Sequence, residues 1–186
     1  MYNAIMSKCR ICSSTPFGSL FNMLLGDNSN VYDSNGALNS PDFIFAENLS
    51  DEEEDRTTEE LQILIKAWET YVHSRALQCW KSPDDIYKIL ELIARGCGNK
   101  SDPILGGDNN CVIWRGELSK DGDDPIITFK TSGSTTFSHS YVNRVLVFLY
   151  ADEESFQLLQ TKPKEAFKMQ CGNKLCINLT HISMDD

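Results

Sequence analysis

The chain has 186 residues, 41% of them hydrophobic, which suits one ordinary domain or two small ones. Its formal charge of −10 and pI near 4.7 argue against a surface coated in basic side chains for phosphate backbones. No apolar run reaches the length of a membrane span, and Lys8 and Arg10 interrupt the apolar residues of Met1–Gly26 where a secretory leader needs continuity. The acidity is uneven: residues 1–110 carry 17 acids against 9 bases, whereas residues 111–186 carry 10 against 8. Seven cysteines without a leader point to a reducing compartment, where thiols serve as metal ligands more often than as disulfides.

Residues 1–56 read as a loop-rich, partly disordered segment. Cys9-Arg-Ile-Cys12 is a Cys-x-x-Cys pair that could be half of a second zinc site, a redox motif or neither, since spacing alone does not choose its partners. No βαβ pattern surrounds it, which disfavours a thioredoxin-like role. Pro16–Leu25 suits a short amphipathic helix, and the Asn, Ser, Gly and Asp of residues 26–40 suit a loop. A brief apolar patch at Asp42–Phe45 precedes Ser50–Arg56, whose six consecutive charges, five of them acidic, read as a solvated flexible linker. An acidic interaction segment is the sharper alternative.

Residues 57–110 predict an antiparallel helix pair. Thr57-Thr-Glu-Glu60 has capping-box spacing, and Leu61, Leu64, Ile65, Trp68, Tyr71 and Val72 form one apolar stripe of a helix running to about Trp80. Ser82-Pro-Asp-Asp85 starts the second helix with a Ser cap, Pro at the first helical position and acids in the first turn. Ile86, Ile89, Leu90 and Ile93 are its buried face, and Arg95-Gly96 its stop. His73 sits beside the first stripe, on the helix surface. The Gly/Asn/Asp stretch 96–110 is a loop and a boundary.

Residues 111–186 predict a β-hairpin and a helix. Val112–Leu118 and Pro125–Lys130 read as strands with Asp121-Gly-Asp-Asp124 as their turn, followed by a Thr/Ser/Gly connector over Thr131–Ser138. Tyr141–Tyr150 has helical spacing at Tyr141, Val142, Val145, Leu146 and Leu149, with a strand as competitor because of its β-branched content. Phe156–Leu159 extends or caps this element, and Lys162–Lys168 is the most basic local run. The fold class is therefore α+β.

Cys171, Cys176 and His181 recur at intervals of five among turn formers and polar residues. Zinc takes four sulfur or nitrogen ligands in a tetrahedron, and a looped knuckle supplies them well. Three ligands leave one place open, and Cys111 is the best candidate to fill it. The alternative is that the cysteines are small buried hydrophobes and His181 a surface imidazole.

The pattern resembles the zinc-binding loop of the His-Me finger (HNH-like) homing endonucleases, roughly His-x-Cys-x-Asn-x-x-Cys-x-Asn-Pro-x-His after an upstream Cys-x-x-Trp-x-Gly. Cys171, Asn173, Cys176, Asn178 and His181 fall in step, as do Cys111, Trp114 and Gly116, over somewhat less than half of the chain. The resemblance implies one structural Zn²⁺ on Cys111, Cys171, Cys176 and His181, and likens Arg144 to a basic residue on the helix after the hairpin. It also implies lost chemistry. The family's general base stands two residues before the first knuckle Cys, where this chain has Met169, a thioether that takes no proton at working pH. The family's Asn ligand for the hydrolytic metal lies on a helix beyond the knuckle, whereas this sequence runs five residues past His181. Leu179 replaces the family's Pro.

The expected function is a catalytically inactive zinc module that binds DNA as a nuclear, transcriptional regulator; a cytoplasmic location is the alternative. Arg115, Lys120, Lys130, Arg144, Lys168 and Lys174 are the candidate nucleic-acid contacts, with Lys162 and Lys164 nearby. Glu117, Asp121, Asp123 and Asp124 oppose them, and a plain solvated surface is the bland reading of the same lysines. A second reading is a structural zinc protein that docks on a protein partner through its acidic helical part, with Trp80, Trp114 or Tyr150 as anchors unless they are core. A third is a divergent active endonuclease with its base relocated to His139 or His181.

Overall fold

The computed structural model describes residues 55–184 apart from positions 81, 121, 131, 133 and 134. The Cys9/Cys12 pair, the 16–25 helix, the 26–40 loop, the 42–45 patch and positions 51–54 of the acidic run lie outside the described residues. What is described is an α+β fold with one small two-stranded sheet.

The expected helix pair is three helices. The capping box forms as read: the Glu60 N–H donates to Thr57 Oγ1 and the Thr57 N–H to Glu60 Oε2, starting α1 at Thr58–Glu69. Leu61, Ile65 and Trp68 are buried as predicted, but Tyr71 is 61% exposed because the helix has already ended. Thr70 turns its hydroxyl back onto the Ala67 carbonyl, and the His73 Nδ1 accepts from the Arg75 N–H, capping a new short helix, α2, at Ser74–Cys79. A capping imidazole belongs at a helix start, so His73 marks a break inside the stretch that periodicity alone reads as continuous. α3, Pro83–Arg95, has the predicted Ser82 cap and Gly96 stop, and packs against α1. Asp85, in its first turn, is buried; its carboxylate accepts from the Ser132 N–H and hydroxyl and pins the connector to the helix.

The hairpin is shifted from its expected place. β1, Ile126–Phe129, pairs antiparallel with β2, Ser138–Tyr141, in the register Ile126 to Tyr141 and Phe129 to Ser138. The residues read as a connector are thus largely this hairpin's loop. Of the predicted Val112–Leu118 strand, only the end pairs with the 125 region, through a Leu118–Pro125 bridge and the bonds Ile126 N–H to Glu117 O and Ser119 N–H to Asp124 O. Its start pairs elsewhere: Trp114 N–H donates to Leu175 O and Ile177 N–H to Val112 O, so this segment runs beside the knuckle. Trp114 explains its two glycine neighbours in space, since a Cβ on either Gly96 or Gly116 would enter its indole. The indole N–H donates to Glu117 O at 2.8 Å.

α4, Val142–Tyr150, is helical, which settles the competition with strand. Val142 through Leu149 are all buried, so this is a central helix with no solvent face, and tertiary packing outweighs the strand preference of its valines. α5, Glu153–Thr161, follows as a separate helix capped by Asp152.

Three arginines each gather the backbone carbonyls at the end of a helix. Arg56 donates to Ala94 O, Cys97 O and Ser101 O at the end of α3; Arg75 donates to Phe148 O and Ala151 O at the end of α4; Arg144 donates to Leu159 O, Pro163 O and Glu165 O around the end of α5. The carbonyls in the last turn of a helix have no partner within it, and a cation suits that end of the dipole. Arg75 and Arg144 also lie over the Phe156 and Phe167 rings. The core is one cluster: Leu61, Ile65 and Trp68 of α1 and the buried faces of α3 and α4 meet Trp114, Ile127, Phe129, Met169, Ile177 and Ile182.

Candidate metal centre

The knuckle is tied at both ends by backbone. Gln170 N–H donates to His181 O and Ser183 N–H to Lys168 O, bringing Met169 opposite Ile182. Between them Gly172 turns the chain at φ +73°, a conformation that suits glycine. Cys176 N–H then closes on Asn173 O, and Asn173 Oδ1 accepts from the Leu175 N–H. A short 3₁₀ turn, Leu179–His181, capped by Asn178, aims the imidazole back at the cysteines.

This backbone path brings together the four residues expected as ligands. The sulfurs of Cys111, Cys171 and Cys176 and a ring nitrogen of His181 all lie within 4.8 Å of one another. His181 Nδ1 stands 3.5 Å from Cys176 Sγ and 3.8 Å from Cys111 Sγ. A tetrahedron with metal–sulfur bonds of about 2.3 Å has edges of roughly 3.8 Å, so the donor set can hold a metal ion with little movement. Three thiols and an imidazole are a donor set that suits zinc, and four protein ligands leave no open position for a substrate.

The second layer was not legible from spacing. His181 Nε2 lies 2.8 Å from Asp108 O, so the ring N–H goes to that carbonyl and leaves Nδ1 unprotonated toward the sulfurs, the tautomer a metal ligand needs. Asn178 is 2% exposed and bonds on all sides. Its amide donates to Gly107 O and Asn110 O, at 2.8 and 2.9 Å, while its Oδ1 accepts from the Thr180 N–H and hydroxyl. The 107–111 loop, which carries both the Asp108 carbonyl and Cys111, is thereby strapped to the knuckle.

Electrostatics sort the three thiols. Burial pushes Cys176 up to about 12, against the pull of the Asn178 and Val112 backbone. Cys111 is raised, first by the neighbouring Cys171 sulfur and then by burial. For Cys171 burial raises the pKa, but the Asn173 backbone and the Cys111, Cys176 and His181 side chains outweigh it and bring the thiol to about 7. His181 is raised, first by its bond to the Asp108 carbonyl. Thiolates this close repel one another, and a bound dication would offset that repulsion.

The candidate nucleic-acid contacts part company. Arg115, Lys120, Lys130, Lys168 and Lys174 are exposed. Lys130 holds its ammonium 5.8 Å from the centre of the Phe137 ring, and Lys174 Nζ is 3.4 Å from Gly122 O, in the turn closed by the Leu118–Pro125 bridge. Arg144 is 1% exposed, with its guanidinium on three carbonyls, and is therefore no surface contact. The reason is local: α4 is buried on every side, and its one cation is used to close α5. His139, the other candidate for a relocated base, is not among the four clustered donors; it lies on β2, its Nδ1 2.8 Å from Thr128 Oγ1, whose hydroxyl donates to Glu117 Oε2. Trp80 and Trp114 are core rather than anchors, and Tyr150 is largely buried. Among the described residues no helix is long and apolar enough to cross a membrane.

Comparison with protein-family models, with curated proteins and with solved structures finds no match for the chain.

Proposed function

We propose that this chain is a catalytically inactive zinc-binding module that binds DNA, a nuclear regulator descended from a His-Me finger nuclease scaffold. The observation that carries the reading is the closed Cys111, Cys171, Cys176 and His181 cluster with Met169 in the position of the base. Zinc there would be structural, holding the 107–111 loop to the knuckle so that the surface around it keeps its shape. Lys168 and Lys174 are exposed in the knuckle segment, and Arg115, Lys120 and Lys130 are exposed along residues 115–130. Such contacts follow counterion release, so affinity falls as salt rises.

A mobility-shift titration of the zinc-loaded chain with duplex DNA tests this. The expected result is binding that weakens steeply between about 50 and 200 mM salt, with Lys168→Ala and Arg115→Ala each reducing the salt slope by about 1. Absence of any shift at 50 mM salt would sink the DNA reading. The protein-partner reading is favoured by a different observation: Ile63 is 72% and Tyr71 61% exposed at the acidic helical end. It is distinguished by no shift together with loss of partner capture on Ile63→Asp.

A further inference from the structure

The three cysteine ligands are not equally protected. Cys176 is 1% exposed and its sulfur accepts from the Asn178 N–H at 3.5 Å, whereas Cys111 and Cys171 are exposed. Their sulfurs lie within 4.8 Å of each other. Cys171 lies on the protein surface, so its sulfur is within reach of a small oxidant in solvent. Resting on the zinc reading above, we propose that Cys111 and Cys171 are a peroxide-reactive pair, a modification site at which hydrogen peroxide joins them as a disulfide and releases the metal.

The chemistry balances with peroxide as the only co-reactant. The Cys171 thiolate attacks one oxygen of hydrogen peroxide; the O–O bond breaks, an S–O bond forms, and hydroxide leaves, giving a sulfenic acid. The Cys111 thiolate then attacks that sulfur; the S–S bond forms as the S–O bond breaks, and a second hydroxide leaves. Two electrons pass from the two sulfurs to peroxide, and with two protons the product is two waters. The sulfurs, now within 4.8 Å of each other, must close to about 2.05 Å. Cys176 and His181 remain as two ligands, too few for a structural zinc site, and the ion departs. The disulfide joins the same two strands of chain that the metal joined. Oxidation therefore exchanges one tie for another, and a thiol reductant with zinc reverses it.

The test uses the full zinc-loaded chain, titrated with hydrogen peroxide while zinc release is read with a chromogenic chelator, then mapped by trypsin and mass spectrometry. Lys174 separates Cys171 from Cys176, so the fragments distinguish the pairs. The expected result is about one zinc released per peroxide consumed, with the 101–115 peptide linked to the 169–174 peptide, and Cys79→Ser releasing zinc at the unchanged rate. Retention of zinc through a tenfold excess of peroxide, or a link between Cys171 and Cys176, overturns the proposal. So does oxidation of Cys9 and Cys12 ahead of any zinc release. A chain that carries and takes up no zinc before oxidant overturns the underlying zinc reading instead; the peptide map then still decides the pairing, because the thiols stand together without a metal.

Discussion

The helical region, residues 58–95, and the knuckle region, residues 107–114 with 168–183, share a core but are held by different forces. In the first, a stripe of Leu61, Ile65 and Trp68 meets Ile86, Ile89, Leu90 and Ile93, side chains 3% exposed or less. In the second, Ile177, Met169 and Ile182 reach the core, but the loop above them is held by Asn178, by the Asp108 carbonyl and by the four candidate ligands. Apolar burial needs no ion and contributes roughly 1.5–3 kcal/mol per large side chain. A polar loop contributes little of that, so its order depends on satisfied hydrogen bonds and on whatever ties the ligands. Metal should therefore matter to one region and hardly to the other.

The largest expected effect breaks that second tie. Cys176→Ser is expected to abolish zinc uptake, and chelation of the wild-type chain should have the same consequence, since apparent structural zinc binding reaches about 10–16 kcal/mol in small modules. Hydrogen exchange should then accelerate at residues 107–114 and 168–183 while α1 and α3 keep their protection. Equal loss in both regions would show that the two are not separable. Next, Trp68→Ala acts on the helical side: the indole is fully buried and its Nε1 donates to Asp102. A loss of about 3–5 kcal/mol is expected in denaturant unfolding, with the zinc stoichiometry of the folded fraction unchanged.

Asn178→Ala is the sharper probe of the knuckle. It removes no ligand but releases Gly107 O and Asn110 O, so zinc affinity should fall by about 10–100-fold, measured by competition with a coloured chelator. The cobalt(II) absorption of the variant should keep its tetrahedral intensity, because all four ligands remain. Smallest are the helix caps. Thr57→Ala should cost about 1 kcal/mol, read from thermal unfolding. The Glu60 carboxylate is held below its ordinary range first by the Thr57 backbone N–H and then by its hydroxyl, and Asp152 likewise by Ser155. A carboxylate with a lowered folded pKa adds stability above its unfolded value and loses it as pH falls through the folded one. Fraying of α1 and α5 is therefore expected below pH of about 4, and circular dichroism of the Asp152→Asn variant should show a weaker acid transition.

Much of this was legible in the chain itself. The capping box at Thr57, the Ser82-Pro83 start and the 3.6-residue stripe of α3 depend on neighbours three and four residues apart, so local sequence determines them. The four residues that the fold brings close enough to hold a metal ion were also readable, because thiol and imidazole chemistry restricts the choice to few residues and the knuckle sets three of them close in sequence. Tertiary structure alone decided the rest. It broke the first helix at His73, moved the hairpin partner of β1 from 112–118 to 138–141, and buried Arg144 on the carbonyls that end α5. Strand partners and helix-end carbonyls are met through space, and nothing in the identity of an arginine says whether it will face a phosphate or a peptide oxygen. Asn178 lies between the two cases: its place in the motif is visible, but its hold on Gly107 and Asn110, about seventy residues back, exists only once the chain has folded.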